Sequence, residues 1–265
     1  CSMRITVDEY ENWYVDQYAY ITDLLQKHGM EDSKPTLVPI QPDECMTVES
    51  TCTKGMDIKE LSKLAVVKDA QSRVGEINYL AGKTRLDVTY AVSRAASLMT
   101  TEPERSSKSS KGILRYLVGT KDYAMRILGP GDLPEKERQL TELAGIPISP
   151  GHYDDDVIMA YSDASYGEFN YGAFVIVWGG MCLFWRAGKQ ELESTSTCES
   201  ELYAVHEAHT GSKSVHQMLQ EMYPGKKWRI IMAIDNTATL SIIKGLIAQH
   251  WRTRHLRKRA RHLTQ

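Results

Sequence analysis

Three carboxylates in the second half of the chain stand in three different sequence contexts. Asp163 ends a strand-like run, Glu201 lies early in a long helical pattern, and Asp235 ends another strand-like run. Acids brought to one edge of a sheet in this way can hold divalent metal between them, and hard oxygen ligands favour Mg²⁺ or Mn²⁺. The chemistry they suggest is metal-dependent work on phosphate esters. A single aspartate at a strand end is more often a turn or cap residue, but three in register weigh against that reading. Carboxylates held close together repel one another unless a cation neutralises them, so such a cluster implies bound metal or raised pKa values.

The elements that must position these acids are readable from periodicity. Residues 157–163 (VIMAYSD), 171–178 (YGAFVIVW) and 181–186 (MCLFWR) read as strands, the last two joined by Gly179-Gly180, which suits the primed turns of antiparallel hairpins. A long helix is expected over 197–223, with Leu202, Val205, His209, Ser212, Val215, Leu219 and Met222 at helical spacing. After Pro224-Gly225 come a strand, 228–235, and a helix, 237–248. Three meandering strands, a crossover helix and a fourth strand make a mixed α/β sheet in which the first and fourth strands lie side by side and parallel, bringing Asp163 and Asp235 to neighbouring strand ends with Glu201 facing them.

The first half is expected to be a small helical subdomain. Residues 18–30 place Tyr18, Ile21, Leu24 and Leu25 on one face and stop at Gly29. Residues 69–81 carry Val74, Ile77 and Leu80, and from Asp87 a stripe of Val88, Ala91, Val92, Ala95, Ala96 and Met99 follows. Pro103 opens a further helix with Ile113, Leu114 and Leu117, and Gly119 closes it. The polar, proline-bearing stretch 31–60 reads as an extended connection, and the Pro-, Gly- and charge-rich stretch 129–156 as an interdomain linker. The expected division is therefore a mainly helical region over 1–128, the linker 129–156 and the mixed-sheet domain 157–265.

With 42% hydrophobic and 25% charged residues the composition is that of a globular protein, and the formal net charge of -2 gives no global pull toward nucleic acid. The segment 251–265 nonetheless holds Arg252, Arg254, Arg257, Lys258, Arg259 and Arg261 with no acid among them, a local basic face. Five scattered cysteines without CxxC spacing argue for a reducing compartment and against disulfides and zinc. The longest uncharged apolar stretch, 171–185, is too short and too glycine-broken for a membrane span, so no membrane partner is expected. A start at Cys1 and a stop within a basic helical pattern are what a piece of a longer protein would have.

The segments YSDAS at 161–165, FWRAGKQ at 184–190, STSTCESELYA at 194–204, IDNTATL at 234–240 and RTRHLRKRARHL at 252–263 together resemble the ribonuclease H domain of copia-type LTR retrotransposon Pol polyproteins, in order and spacing. YITDLLQKHGM at 20–30, VGEINYLAGKTRLDVTYAVS at 74–93 and ILRYLVGTKDYAMRIL at 113–128 resemble the thumb or connection region that follows the polymerase active site in the same polyproteins. The resemblance implies a ribonuclease H-like fold and a catalytic, metal-binding set of Asp163, Glu201 and Asp235. It also implies two Mg²⁺ or Mn²⁺ ions with Asp163 bridging them, and cleavage of the RNA strand of an RNA·DNA hybrid. Arg252, Arg254, His255, Arg257 and Lys258 fall on the nucleic-acid-binding segment. The remainder of the Pol polyprotein is an implied partner, and cytoplasmic virus-like particles or the nucleus the implied location.

Departures from the pattern are two. The family carries a fourth aspartate after the basic segment, and the sequence stops at Gln265 before reaching it; Arg257 also stands where the family usually has an acid. They support an alternative from another class, a decayed retroelement segment that binds nucleic acid without cutting. The polymerase aspartate pair is absent from this stretch, so polymerase activity is not expected of it. Glu199, two residues before Glu201, is assigned to the surface or to a supporting role. His206, His209, His255 and His262 lack metal spacing, Asp154 to Asp156 read as linker charge, and Trp178, Trp185 and Trp228 as packing.

Overall fold

The computed structural model describes residues 3–9, 11–41, 64–127, 154–167, 169–244 and 263. The chain divides into two compact units, Cys1–Asp8 with Trp13–Arg126, and Glu9–Asn12 with Ile127–Gln265.

In the first unit the helical stripes become one core. Helices α1 (Tyr18–Lys27), α2 (Ala65–Ala81), α3 (Thr89–Leu98) and α4 (Pro103–Gly119) bury most of the apolar positions that periodicity marks, while Tyr18, Ala96 and Met99 stay half-buried. Ile21 and Leu25 of α1, Ile77 and Leu80 of α2, Val92 of α3 and Leu114 and Leu117 of α4 share one cluster. Gly29 adopts φ +60, the left-handed position that ends α1. Helix α2 begins four residues before the expected start because its stripe extends to Val67 and Ala70, both fully buried. A short 3-10 turn, Leu86–Val88, leads into α3.

Beside these helices lies a three-stranded sheet that the sequence reading missed. Strand β1 (Arg4–Val7) pairs antiparallel with β2 (Trp13–Asp16), and β3 (Met125–Ile127) completes the order β1-β2-β3. The strands are three and four residues long, below the length at which a period of two stands out. The mainly helical region thus also carries a small sheet.

The second unit carries a four-stranded mixed sheet of order β6-β5-β4-β7. Strands β4 (Val157–Ser165), β5 (Tyr171–Trp178) and β6 (Met181–Lys189) form the expected meander, with Gly179 and Gly180 at φ +56 and +81 in the hairpin turn. Helix α5 (Thr197–Met222) then crosses over to β7 (Arg229–Ala233), which runs parallel to β4, and helix α6 (Thr237–Ile243) follows. Ile158, Ala160, Phe174 and Ile176 pack on Ala208, Val215 and Leu219 of α5. At Gly211 helix and sheet approach so closely that an added Cβ would lie 2.8 Å from Ile176 Cδ1. Trp178, Tyr223 and Trp228 stack together where α5 ends, as the packing reading of the two tryptophans expects. Among the described residues no helix is long and apolar enough to cross a membrane.

Candidate metal centre

The parallel pairing of β4 and β7 fixes two of the three acids. Their register ends at Tyr161 opposite Ala233, so Asp163 and Asp235 each lie two residues beyond the same rung. Strand β7 stops at Ala233 rather than at Asp235, because Asn236 already serves as the N-cap of α6 and accepts a hydrogen bond from the Thr239 amide at 2.9 Å. Asp235 therefore sits in the connection between strand and helix, with its backbone released from the sheet.

Glu201 reaches the same place from α5. The helix begins at the sheet end where β4 and β6 finish, with Ser196 as N-cap accepting from the Glu199 amide at 3.2 Å. Two buried polar ties hold this first turn. Gln190, just past β6, donates to the Ser200 carbonyl at 2.8 Å and accepts from the Ser200 hydroxyl at 2.9 Å. Thr239 of α6, fully buried, donates to the Cys198 carbonyl at 3.2 Å. Residues on both sides of Glu201 in the fold are thus fastened to the helix turn that carries it.

Carboxylate oxygens of Asp163, Glu201 and Asp235 all lie within 4.8 Å of one another. The two aspartates are exposed, whereas Glu201 is 5% exposed. Burial, and then the negative charges of Asp163 and Asp235, push the Glu201 carboxyl up to about 7, partly opposed by a hydrogen bond from the Ala164 backbone. Its Oε2 is buried without a hydrogen-bond partner. A buried carboxylate oxygen is costly to leave unmatched, and among the described residues the charges that act on it, Asp163 and Asp235, are of its own sign. Three oxygen donors so close, one of them orphaned, fit a hard divalent cation such as Mg²⁺ or Mn²⁺.

The remaining sequence candidates separate clearly. Of the two roles open to Glu199, surface or support, the structure gives the second: it is 4% exposed and accepts from the Thr195 amide and hydroxyl, both at 2.8 Å, and from the Tyr203 hydroxyl at 2.7 Å. The pattern S-x-x-E at Ser196 to Glu199 is the available sequence signal for that cap. Asp155 and Asp156 pair with Lys226 and Arg229 at 2.9 Å, joining the entries of β4 and β7, and take no part in the acidic group. His206 and His209 also stand outside that group. Arg252, Arg254, His255, Arg257, Lys258 and His262 lie outside the described residues. Gln190, Ser200 and Thr239 were not singled out from sequence, since no spacing rule marks a polar pair made across the fold.

The chain is 25% identical over 214 residues to the retrovirus-related Pol polyprotein from transposon RE1 of Arabidopsis thaliana, 79% of this chain and 12% of that protein. It is 24% identical over 245 residues to the corresponding polyprotein from transposon TNT 1-94 of Nicotiana tabacum, 92% of this chain and 16% of that one. Transposon Ty1-NL2 Gag-Pol polyprotein of Saccharomyces cerevisiae matches at 25% identity over 78% of this chain and 11% of its own length. No family model matches, and no solved structure does. The chain thus spans a small fraction of the curated relatives it matches, and its homologues, over most of its length, are Pol polyproteins of retrotransposons.

Proposed function

We propose that the second unit is the ribonuclease H of a retroelement polyprotein, hydrolysing the RNA strand of an RNA·DNA hybrid with two divalent cations, Mg²⁺ or Mn²⁺. The observation that carries this reading is the convergence of Asp163, Glu201 and Asp235 within 4.8 Å, with a buried Glu201 oxygen left unpartnered. When bound, the cations neutralise charge on the scissile phosphate and make the attacking water acidic enough to act. Asp163, on the central strand β4, and Asp235, beyond its parallel neighbour, present exposed carboxylates at an open sheet edge that a duplex backbone can reach. Glu201 supplies the buried ligand and must give up its proton first, which its raised pKa makes a near-neutral event.

The four-stranded order with a parallel fourth strand and a crossover helix agrees with a ribonuclease H-like fold. In this reading residues 1–128 correspond to a reverse transcriptase thumb or connection region and 129–156 to the linker. The site of action is then a virus-like particle in the cytoplasm, or the nucleus. Phosphate contacts position the hybrid, and 2′-hydroxyls in its minor groove mark the RNA strand. The basic segment with Arg252, Arg254, His255, Arg257 and Lys258 is assigned to those phosphates on its charge.

Hybrid cleavage in Mg²⁺ tests the reading, measured for the chain and for a longer stretch of the polyprotein, each beside its Asp163→Asn variant. Cleavage of the RNA strand that disappears in the variant is the expected result. Equal cleavage with and without Asp163 would overturn the assignment. Hybrid binding without cleavage in either length would favour a segment that holds nucleic acid and does not cut it.

A further inference from the structure

Asp163 and Glu201 are each flanked by a connection that packing does not hold. The loop after β4, 166–170, exposes Tyr166 and Phe169, and the stretch from β6 to α5, 190–196, exposes Glu191, Leu192 and Glu193. Neither buries an apolar side chain among its described residues, so polar ties must set where each one lies. Asn170, the last residue of the first loop, is buried and uses both ends of its amide for such ties. Its Oδ1 accepts from the Gly167 amide at 3.2 Å, which shapes its own loop, and its Nδ2 donates to the Ser194 hydroxyl at 2.6 Å, in the second. Its carbonyl accepts from the Gln190 amide at 2.8 Å, and the Gln190 side chain makes the two bonds to Ser200, the neighbour of Glu201.

A turn-capping role accounts for the Gly167 bond, which closes only a local turn. It does not account for the Ser194 bond, made to a residue 24 positions away that lies just before Ser196, the N-cap of α5. Metal ligands need their donors held to within about 0.5 Å, and the groups behind the ligands fix that placement. We propose that Asn170 is a positioning residue of the metal centre: through Ser194 and Gln190 it holds the strand end that carries Asp163 against the first turn of the helix that carries Glu201. This role rests on the three carboxylates as a cation site and not on cleavage of a hybrid.

Ion selectivity separates positioning from plain stability. Mg²⁺ demands near-ideal octahedral geometry, whereas Ca²⁺ accepts longer and less regular contacts, so a loosened site loses the smaller ion first. The full chain would be loaded with Mn²⁺, and its displacement by Mg²⁺ and by Ca²⁺ followed through the electron spin resonance of the released Mn²⁺. In Asn170→Leu, close in volume but without the amide, Mg²⁺ affinity should fall about tenfold and Ca²⁺ affinity by less than about threefold. Ser194→Ala should show a smaller loss of the same kind, and Ser194→Thr, which keeps the hydroxyl, should restore wild-type selectivity; this pair decides the matter if Asn170→Leu does not fold. Trp228→Leu, in the aromatic group where α5 ends and β7 begins, should lower the melting temperature without moving the ratio of the two affinities. An unchanged ratio in Asn170→Leu and Ser194→Ala, or an equal drop in Trp228→Leu, would overturn the positioning role. Mn²⁺ held by the wild type without cleavage of a hybrid would remove the nuclease reading and leave this role standing, while a wild type that takes up no Mn²⁺ would overturn both.

Discussion

The two units bury charge in opposite ways. In the first, Arg85 is 1% exposed and fully answered: it donates to Asp87 at 2.9 and 2.7 Å, to the Thr120 carbonyl at 2.9 Å and to the Thr120 hydroxyl at 2.7 Å. The Tyr116 and Tyr123 rings flank its guanidinium, and the Tyr116 hydroxyl donates to the same Asp87, which with burial pushes that phenol up to about 12. In the second unit Glu201 is nearly as buried, yet its charged neighbours are two more carboxylates. A charge matched inside the fold holds the fold together. A charge confronted by its own sign costs the fold stability, a cost that a bound cation would offset.

The contrast predicts where substitutions act, and the largest effect falls on activity. Asp163→Asn should lower hybrid cleavage on the order of 10³-fold or more, as expected when one member of a set acting together is removed, with little change in melting. Arg85→Met should do the reverse. It strands Asp87 and the Thr120 carbonyl and should cost about 3 kcal/mol in denaturant unfolding of the first unit, while leaving Mn²⁺ binding intact.

Smaller effects sharpen the same comparison. The folded-state pKa of Glu201, about 7, exceeds its ordinary 4.5, so the native protein keeps a proton that the unfolded chain has lost. Stability without metal should then decline as pH rises from about 4.5 to 7 and level off above, and Glu201→Gln should flatten that decline. Chelated samples melted at successive pH values read this directly; a curve that rises across the interval contradicts the burial argument. Thr239→Val, which removes the tie to the Cys198 carbonyl, should cost about 1 kcal/mol and weaken Mn²⁺ binding, whereas Thr239→Ser, which keeps the hydroxyl, should restore most of the affinity. Equal Mn²⁺ affinity in both would show that the tie serves stability alone.

Much of this was legible from residues and some was not, for physical reasons. Long periodic elements such as α4 and α5 announce themselves, and the Gly179-Gly180 turn fixes its hairpin. The side-by-side placement of Asp163 and Asp235 follows from the order of strands and crossover, which topology restricts tightly. Strands β1 to β3 escaped because a run of three or four residues has too little pattern to beat its surroundings. Glu199 and Glu201 are two residues apart on one helix and both buried, one in a capping network and one among acids. Helical spacing separated them correctly but could not say that the first also lies inside. The pair Gln190 and Ser200 depends on close approach of β6 to α5, which Gly172 allows: a Cβ there would lie 3.0 Å from Gln190 Nε2. Such contacts belong to tertiary packing, where sequence spacing carries no signal.

Calorimetric titration of the metal-free chain with Mn²⁺ at pH 8 and at pH 6 goes to the centre of the account. Binding should be measurable at pH 8 and weaken by close to one order of magnitude at pH 6, with about one proton released per Glu201 occupied at the lower pH. It should vanish in the double variant Asp163→Asn, Glu201→Gln. Absence of binding in the wild type, or undiminished binding in the double variant, would contradict the assignment of these three carboxylates to a metal centre.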